Sequence, residues 1–545
     1  MLYRHSRLFP SRFGVPDMTN PPTMKAPGVY IVEENAFPDA VVGVETALPA
    51  FIGYTQKAEV GGESLLGKPW LIDSLAAFQD CFGAGPGEDC LGFRLEPADA
   101  APAGMAHDQP LAERDAAPFL LDQAPYRLTQ TRGFYLLHAC MRQFFLNGGG
   151  RCCVVSVGHY RDDDGIRIDK AALARGLTAL EQQPDATLVV VPEAVLLPSA
   201  EDCFALQQAV LEHCGTTMKN RFAILDVREG YRQAAHCIEP FRAGIGNSDL
   251  GFGAAYYPWL HTAIVDDGEL SHRCLDAASR DVLIACIKGE LAAEDTSPAL
   301  LAEVDKIKTL EVAPGMDAQA AAAMRQAIDG LARSLRTASP CYGQLIAELR
   351  RRVNLLPPAA ALAGIYARVD ADLGVWQAPA NVAVAGTVAP AVKLTDAQQE
   401  DLNFAVTGKS INAIRAFQGS GTLVWGARTL DGINLDWRYI NTRRTMIMLE
   451  ESTRRALASY APAPNDRNTW ASIRAMLESF LTAIWKQGGL AGATPGEAFS
   501  VRVGLGETMS SQDILDGVLR VTVQVCTTRP ADFIELSFAQ AAPRP

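Results

Sequence analysis

This chain is short of basic charge, of long apolar runs and of the residue pairings that carry chemistry. Its 49 lysines and arginines are outnumbered by 62 aspartates and glutamates, giving a formal net charge of -13. That balance argues against a nucleic-acid surface, which shows a basic patch or stripe. No run of about 18 apolar residues occurs, so no membrane span is expected. The opening MLYRHSRLFPSRF is basic but lacks the apolar stretch of a signal peptide, so a soluble, cytoplasmic chain is expected. None of the 12 cysteines stands in a C-x-x-C pair, and Cys152 and Cys153 are adjacent, which suits neither a zinc knuckle nor a thioredoxin-like site. Reduced thiols acting as small hydrophobes are the expected reading.

Signatures of catalysis are equally scarce. The run NGGGRCC at 147–153 precedes a strand and lacks the Lys-Ser/Thr pair of a phosphate-binding loop. GAGPG at 83–87 is not followed by a helix with a suitably spaced acid, and Gly251-Phe252-Gly253 lacks a third glycine. Gly419-Ser420-Gly421 falls short of a nucleophile elbow. No H-E-x-x-H occurs, and the eight histidines are scattered singly. No catalytic, cofactor-binding or metal-binding residue is assigned, and no enzyme is expected.

What the chain has is a globular composition, 48% apolar and 20% charged over 545 residues, enough for two to four domains. Residues 1–25 carry four prolines and no periodicity, and read as a flexible leader. Residues 26–60 read as an arm and the start of a core, with Val29, Ile31, Val42 and Val44 alternating around Phe37-Pro38. Residues 61–129 read as a variable loop region. Its stretch 83–125 is rich in Ala, Pro, Gly and Asp and is expected to be a solvated surface excursion whose removal (88–122) is tolerated.

From 130 to 354 the pattern changes. CCVVSV, TLVVV and RFAILDV alternate with helices at 133–146, 170–183 and 200–214, which predicts βαβ units and a parallel sheet, followed by an Ala-rich helical stretch. Residues 355–517 read as a second core. There Trp470, Ile473, Leu477, Phe480 and Ile484 form one helical stripe, with Asn465, Asp466 or Asn468 as N-cap and Gly488 past the last turn. Glu450 with Arg454 and Glu451 with Arg455 stand at i,i+4. At 518–545, Leu519, Val521, Val523 and Val525 alternate with polar residues, and Ile534, Leu536 and Phe538 follow. Pattern alone pairs these two strands with each other, but two strands are marginal and a third must join them. A strand from another subunit would link chains through main-chain hydrogen bonds. The expected fold is thus α+β and multidomain: a C-terminal core with mixed sheet and packed helices, an inserted α/β domain, and extended strand arms at both termini.

Several phrases together resemble contractile tail sheath proteins of tailed phages and phage-tail-like injection systems. They are APGVYIVEE, FFLNGGGRCCVVSV, PPAAALAGIYARVDADLGVWQAPAN, INAIRAFQGSGTLVWGARTL, NTRRTMIMLEES, LTAIWKQGGLAGATPGEAF and GVLRVTVQVCTTRPADFIELSF, in family order. The resemblance implies a structural subunit that polymerises as stacked hexameric rings around an inner tube protein and contracts to drive that tube through a target envelope. It implies no cofactor. Its implied partners are further copies of the chain, the tube, and baseplate and terminator or cap proteins. Neither nucleic acid nor membrane insertion is among them. Strand arms would lie at Val29, Tyr30, Ile31, Val32, Leu519, Val521, Val523 and Val525, with Ile534, Leu536 and Phe538 in the receiving sheet. A helix bearing Arg474 and Lys486 is a candidate for facing the tube. The rival readings are an α/β enzyme with an unrecognised site, or another structural component of the same particle.

Overall fold

The computed structural model describes residues 40–87, 90–98, 118–160, 168–293, 298–312 and 315–530. The leader, the arm residues Val29 to Val32, and Ile534, Leu536 and Phe538 lie outside them. The short apolar runs form strands as expected: Cys152–His159, Leu188–Val190 and Phe222–Asp226. Each is buried over most of its length, so both sheet faces must be covered, and continuous apolar sequence is the mark of that situation. Between them stand helices Lys170–Ala179 and Ala200–Glu212, N-capped by Asp169 and Ser199.

These strands belong to one nine-stranded sheet. Its order runs Val382–Ala383, Gly421–Trp425, Asn412–Phe417, Gly253–Tyr257, Phe222–Asp226, Leu188–Val190, Pro49–Thr55, Cys152–His159, Pro69–Ile72. The six from Asn412–Phe417 to Cys152–His159 are parallel, and antiparallel strands close both edges. The expected border at 354/355 does not divide this sheet. Tyr256 and Tyr257 pair in parallel with Asn412 and Ala413, so the two expected domains share one ladder. They also share one hydrophobic core, running from Ala50 to Ile440. Helices α1 (Leu137–Leu146) and α2 (Ala359–Leu373) cover it, crossing so closely that a Cβ at Gly364 would run into the Phe144 carbonyl. Gly419 and Gly421, both at positive φ, turn the 412–425 hairpin, and Ser420 is a turn residue there.

The reading of 83–125 as a solvated excursion needs correction. Strands Gly92–Pro97 and Phe119–Leu121 flank Ala124–Arg132 in a three-stranded sheet. That sheet packs on helices Ala277–Ala293, Pro298–Thr309, Ala318–Ala338 and Pro340–Val353. Phe93, Leu95 and Leu128 are buried there with Leu283, Ile287, Leu335 and Leu345, forming a second core. The apolar residues of GFRLEP are too few to outweigh the surrounding Pro, Ala and Asp in a composition window, and only the distant helices supply their partners. Deleting 88–122 is now expected to uncover this core.

Two carboxylates lie at the carboxyl ends of adjacent parallel strands. Glu193 is fully buried and accepts from the Leu136 and Leu137 amides at the start of α1 (3.2 and 2.9 Å). Asp226 accepts from the Ala359 amide at the start of α2 (2.8 Å). Burial outweighs these hydrogen bonds and pushes both carboxyls up to about 7. The folded protein therefore holds protons that the unfolded chain has released between about pH 4 and 7, and stability falls as pH rises through that window. Urea unfolding between pH 5 and 8 is expected to show this loss. Glu193→Gln keeps the acceptor and should flatten the slope, by an amount on the order of 3 kcal/mol across the window. An unchanged slope would show that Glu193 is not the group responsible.

Candidate polymerisation interface

The helix Ile440–Ala458, α3, is polar in sequence yet mostly buried in the fold, including Asn441, Arg443, Arg444, Glu451 and Ser452. Each buried charge has a specific partner. The Arg443 guanidinium lies between the rings of Trp437 (3.6 Å to the centroid) and Phe252 (4.3 Å). Arg444 donates twice to Asp370 on α2 (2.9 and 2.6 Å), the two side chains each being 4% exposed. It sits over the Tyr366 ring at 4.8 Å and donates to the Thr46 carbonyl at 3.0 Å. Glu451 accepts from both Arg454 and Arg455, and Arg455 reaches on to Asp185. Glu450, expected to pair with Arg454, is instead partly desolvated and its carboxyl is pushed up.

Both ends of the described chain are fastened to α3. On the amino-terminal side the Val44 amide donates to Ser452 (3.0 Å), and Thr46 donates to Asp370 (2.6 Å). On the carboxyl-terminal side the Thr528 carbonyl accepts from Asn441 and Thr442 (3.2 and 3.4 Å). Asn441 and Ser452 stand about 16 Å apart along the helix. Residues 44–46 and 528 are thus held on one rigid rod.

A lobe follows α3. Its helix Arg467–Lys486, α4, is N-capped by Asp466 and buries Ile473, Leu477, Phe480 and Ile484 of the expected stripe, with Met476 beside them and Trp470 half-buried. Gly488 takes φ +84° after its last turn. The expected partner strand through Ile534, Leu536 and Phe538 lies outside the described residues; among them, strand Thr522–Val525 pairs with Phe499–Arg502, antiparallel. That partner was missed, although Phe499, Val501 and Val503 alternate with Ser500 and Arg502. Among the described residues this sheet has two strands and so two open edges. Leu519, Val521, Val523 and Val525 are half-buried and the residues between them exposed. Val525 faces Phe499 while the Cys526 amide bonds the Ala498 carbonyl (2.8 Å), so the ladder runs through residues 524 and 526. By that alternation the Val523 and Val525 amides point to the outer edge. Arg474 is committed within the lobe, donating to the Val503 carbonyl (2.9 Å) and to Glu507 (2.7 Å). Lys486 is exposed and has no ion-pair partner among the described residues.

Two cavities gather titratable side chains. One of about 240 Å³ lies between residues 44–46 and α3, and its charged lining includes the already paired Arg444, Glu451, Arg455 and Asp185. Another of about 430 Å³ contains His138, which burial pushes down to about 4, beside the Arg142–Glu269 pair. The lining of neither contains a serine or cysteine nucleophile.

Residues 434–537, comprising all of α3, the lobe and the last described strand, match the phage tail sheath C-terminal domain family. The chain carries a sheath-family C-terminal domain. A tail sheath protein of Burkholderia phage BcepMu is 30% identical over 144 residues, a stretch covering 26% of this chain and 30% of that protein. The sheath fold extends further. The sheath of the extracellular contractile injection system PVC, in its contracted state, superposes with a TM-score of 0.56 at 24% identity. That match covers 95% of this chain and 99% of the other. The contracted helical sheath of the anti-feeding prophage gives 0.57 at 23% identity, covering 94% and 99%. At these identities the likeness is one of fold, and it bears out the expected α+β, multidomain fold class. The sheath domain is joined to the nine-stranded sheet through the buried arginines of α3.

Leaving one member of the Arg444–Asp370 pair buried alone is expected to cost about 3–5 kcal/mol. Arg444→Ala should lower the urea midpoint and speed exchange of the Val44 amide, which is bonded to Ser452 in the segment that the guanidinium holds at the Thr46 carbonyl. Arg520→Ala, which breaks an exposed pair with Asp513, should cost under about 1 kcal/mol. Equal costs for the two variants would refute the assignment.

Proposed function

We propose that this chain is the subunit of a contractile tail sheath, polymerising as stacked hexameric rings around an inner tube and contracting to drive the tube through a target envelope. The observation that carries the proposal is the sheath-type C-terminal domain, whose small sheet has open edges among the described residues, with residues 44 and 528 both fastened to α3. An open edge is an aggregation hazard in a lone globule and a joint in an ordered polymer. Strands donated between subunits bond through main-chain groups, so flexible arms keep neighbours connected while their rigid bodies rotate between two packings.

In this reading the arms are residues 26–34 and 519–525. The partners are copies of the chain, the tube, the baseplate and a terminator or cap. The protein assembles in the cytoplasm as part of a phage tail or tail-like particle. Contraction draws on energy stored at assembly and needs no nucleotide. Of the two candidate residues on α4, Lys486 is the one left to face the tube, because Arg474 is already bonded to Val503 and Glu507. The carboxyl ends of the parallel strands, where α/β enzymes place their sites, here carry Glu193 and Asp226, each spent on a helix start. That use supports a structural role over a catalytic one.

Electron microscopy of the purified chain, alone and with its tube protein, tests the proposal. Tubes or stacked rings of six-fold symmetry are expected, and a persistent monomer in both conditions would overturn it. Val523→Pro removes an outer-edge donor while leaving the pairing with Phe499–Arg502 intact, so it should fold normally and fail to polymerise. Deleting residues 1–38 should do the same. Wild-type tubes from either variant would remove that arm from the scheme.

A further inference from the structure

Of the two adjacent arginines on α3, Arg444 has a carboxylate and Arg443 has none. Arg443 is 8% exposed, and its guanidinium makes no hydrogen bond and no ion pair among the described residues. Its flat faces are occupied by the Trp437 and Phe252 rings, which leaves the edge, where the N–H donors lie. That edge borders a cavity of about 220 Å³ lined also by Asn247, Asp249, Gly251, Phe252 and Asp431. Gly251 keeps the approach clear, since a Cβ there would stand 3.5 Å from Nη2.

Two carboxylates share the cavity, yet neither pairs with Arg443. Asp249 accepts from the Thr216 hydroxyl (3.0 Å) and Asp431 from the Asn434 amide (2.9 Å). Burial draws the Arg443 pKa down, against the weaker pull of Glu450 and Asp431. A guanidinium desolvated to this degree leaves donors unmade, a cost that a fitting acceptor recovers. The surface around the cavity is apolar. Ile433 and Leu435, on the turn between Asp431 and Trp437, are 72% and 65% exposed. Val406 is fully exposed on the neighbouring turn, which meets the first where the Gly432 amide bonds the Gly408 carbonyl (2.9 Å). A recessed arginine stacked on a tryptophan inside an apolar rim is the make-up of a binding hot spot.

We infer that the edge of Arg443 receives an aspartate or glutamate carboxylate from a second copy of the chain, with Ile433, Leu435 and Val406 closing around it. A carboxylate matches the planar fork with two parallel hydrogen bonds. Its single charge suits a cavity already lined by two acids better than a phosphate does. With 62 acids against 49 bases, a second copy offers the required group in excess. The inference rests on the sheath reading, which requires copies to meet, and adds a residue at which they do.

The test uses the full chain, dispersed and assembled with its tube protein. Phenylglyoxal, which condenses with guanidinium groups, is applied to both states, and the modified residues are mapped by mass spectrometry. Arg443 should react in the dispersed chain and be protected in the polymer. Arg443→Met keeps the stem against the rings and removes the donors. It should unfold close to the wild-type urea midpoint and need on the order of tenfold more protein to polymerise. Ile433→Asp, at an exposed position, should fold normally and show a deficit too. A wild-type chain that stays monomeric with its tube protein would overturn the sheath reading and this inference together. A polymer that Arg443→Met leaves unchanged, or an Arg443 equally reactive in both states or in neither, would overturn this inference alone. A deficit confined to tube binding would move the site to the tube and overturn the second copy as occupant.

Discussion

The guanidinium of Arg444, the carboxylate of Asp370 and the carbonyl of Thr46 meet where three parts of the chain come together: helix α3, helix α2 and the segment entering the first strand. Taking two charges out of water is costly, and a lone pair seldom repays it. Here the cost is offset by two parallel hydrogen bonds, the face of Tyr366 and the extra bonds to and from Thr46. Shape and direction are what this arrangement supplies. A hydrophobic contact would tolerate a sliding α3, whereas a forked bond to one carboxylate does not. The position of the C-terminal lobe, and of the open edges it carries, follows from that fixed register.

Much of the fold was readable because period and length are local properties. The fully apolar runs became central parallel strands, the i,i+3/i+4 stripe became the buried face of α4, and Gly488 took the left-handed turn its place demanded. What stayed hidden depends on partners far away in sequence. Phe93 and Leu95 are two apolar residues in an Ala- and Pro-rich setting, and their meaning comes from helices nearly two hundred positions on. The continuity of the main sheet rests on two pairings, at Tyr256 and Tyr257, which no composition boundary reveals.

The interface was half legible. Alternation at 519–525 announces an edge strand, but alternation cannot name a partner, and Phe499–Arg502 is too short a run for its own alternation to stand out. Nothing local in the sequence marks the adjacent arginines 443 and 444 for burial. Burial turned one into a stacked cation and the other into half of an ion pair. The fold agrees with two contractile sheaths over nearly the whole chain at about a quarter identity, so few side chains are needed to specify it.

The second core has a consequence for how the polypeptide is made. Its sheet comes from residues 92–132 and its helices from 277–353, so the strands leave the ribosome long before anything can cover them. At about 5–20 residues per second the wait is roughly 13–50 s, long beside the microseconds in which an isolated hairpin forms and opens. Through that interval Phe93, Leu95 and Leu128 face solvent on a nascent chain. The chain then depends on chaperone capacity at this stage of its synthesis.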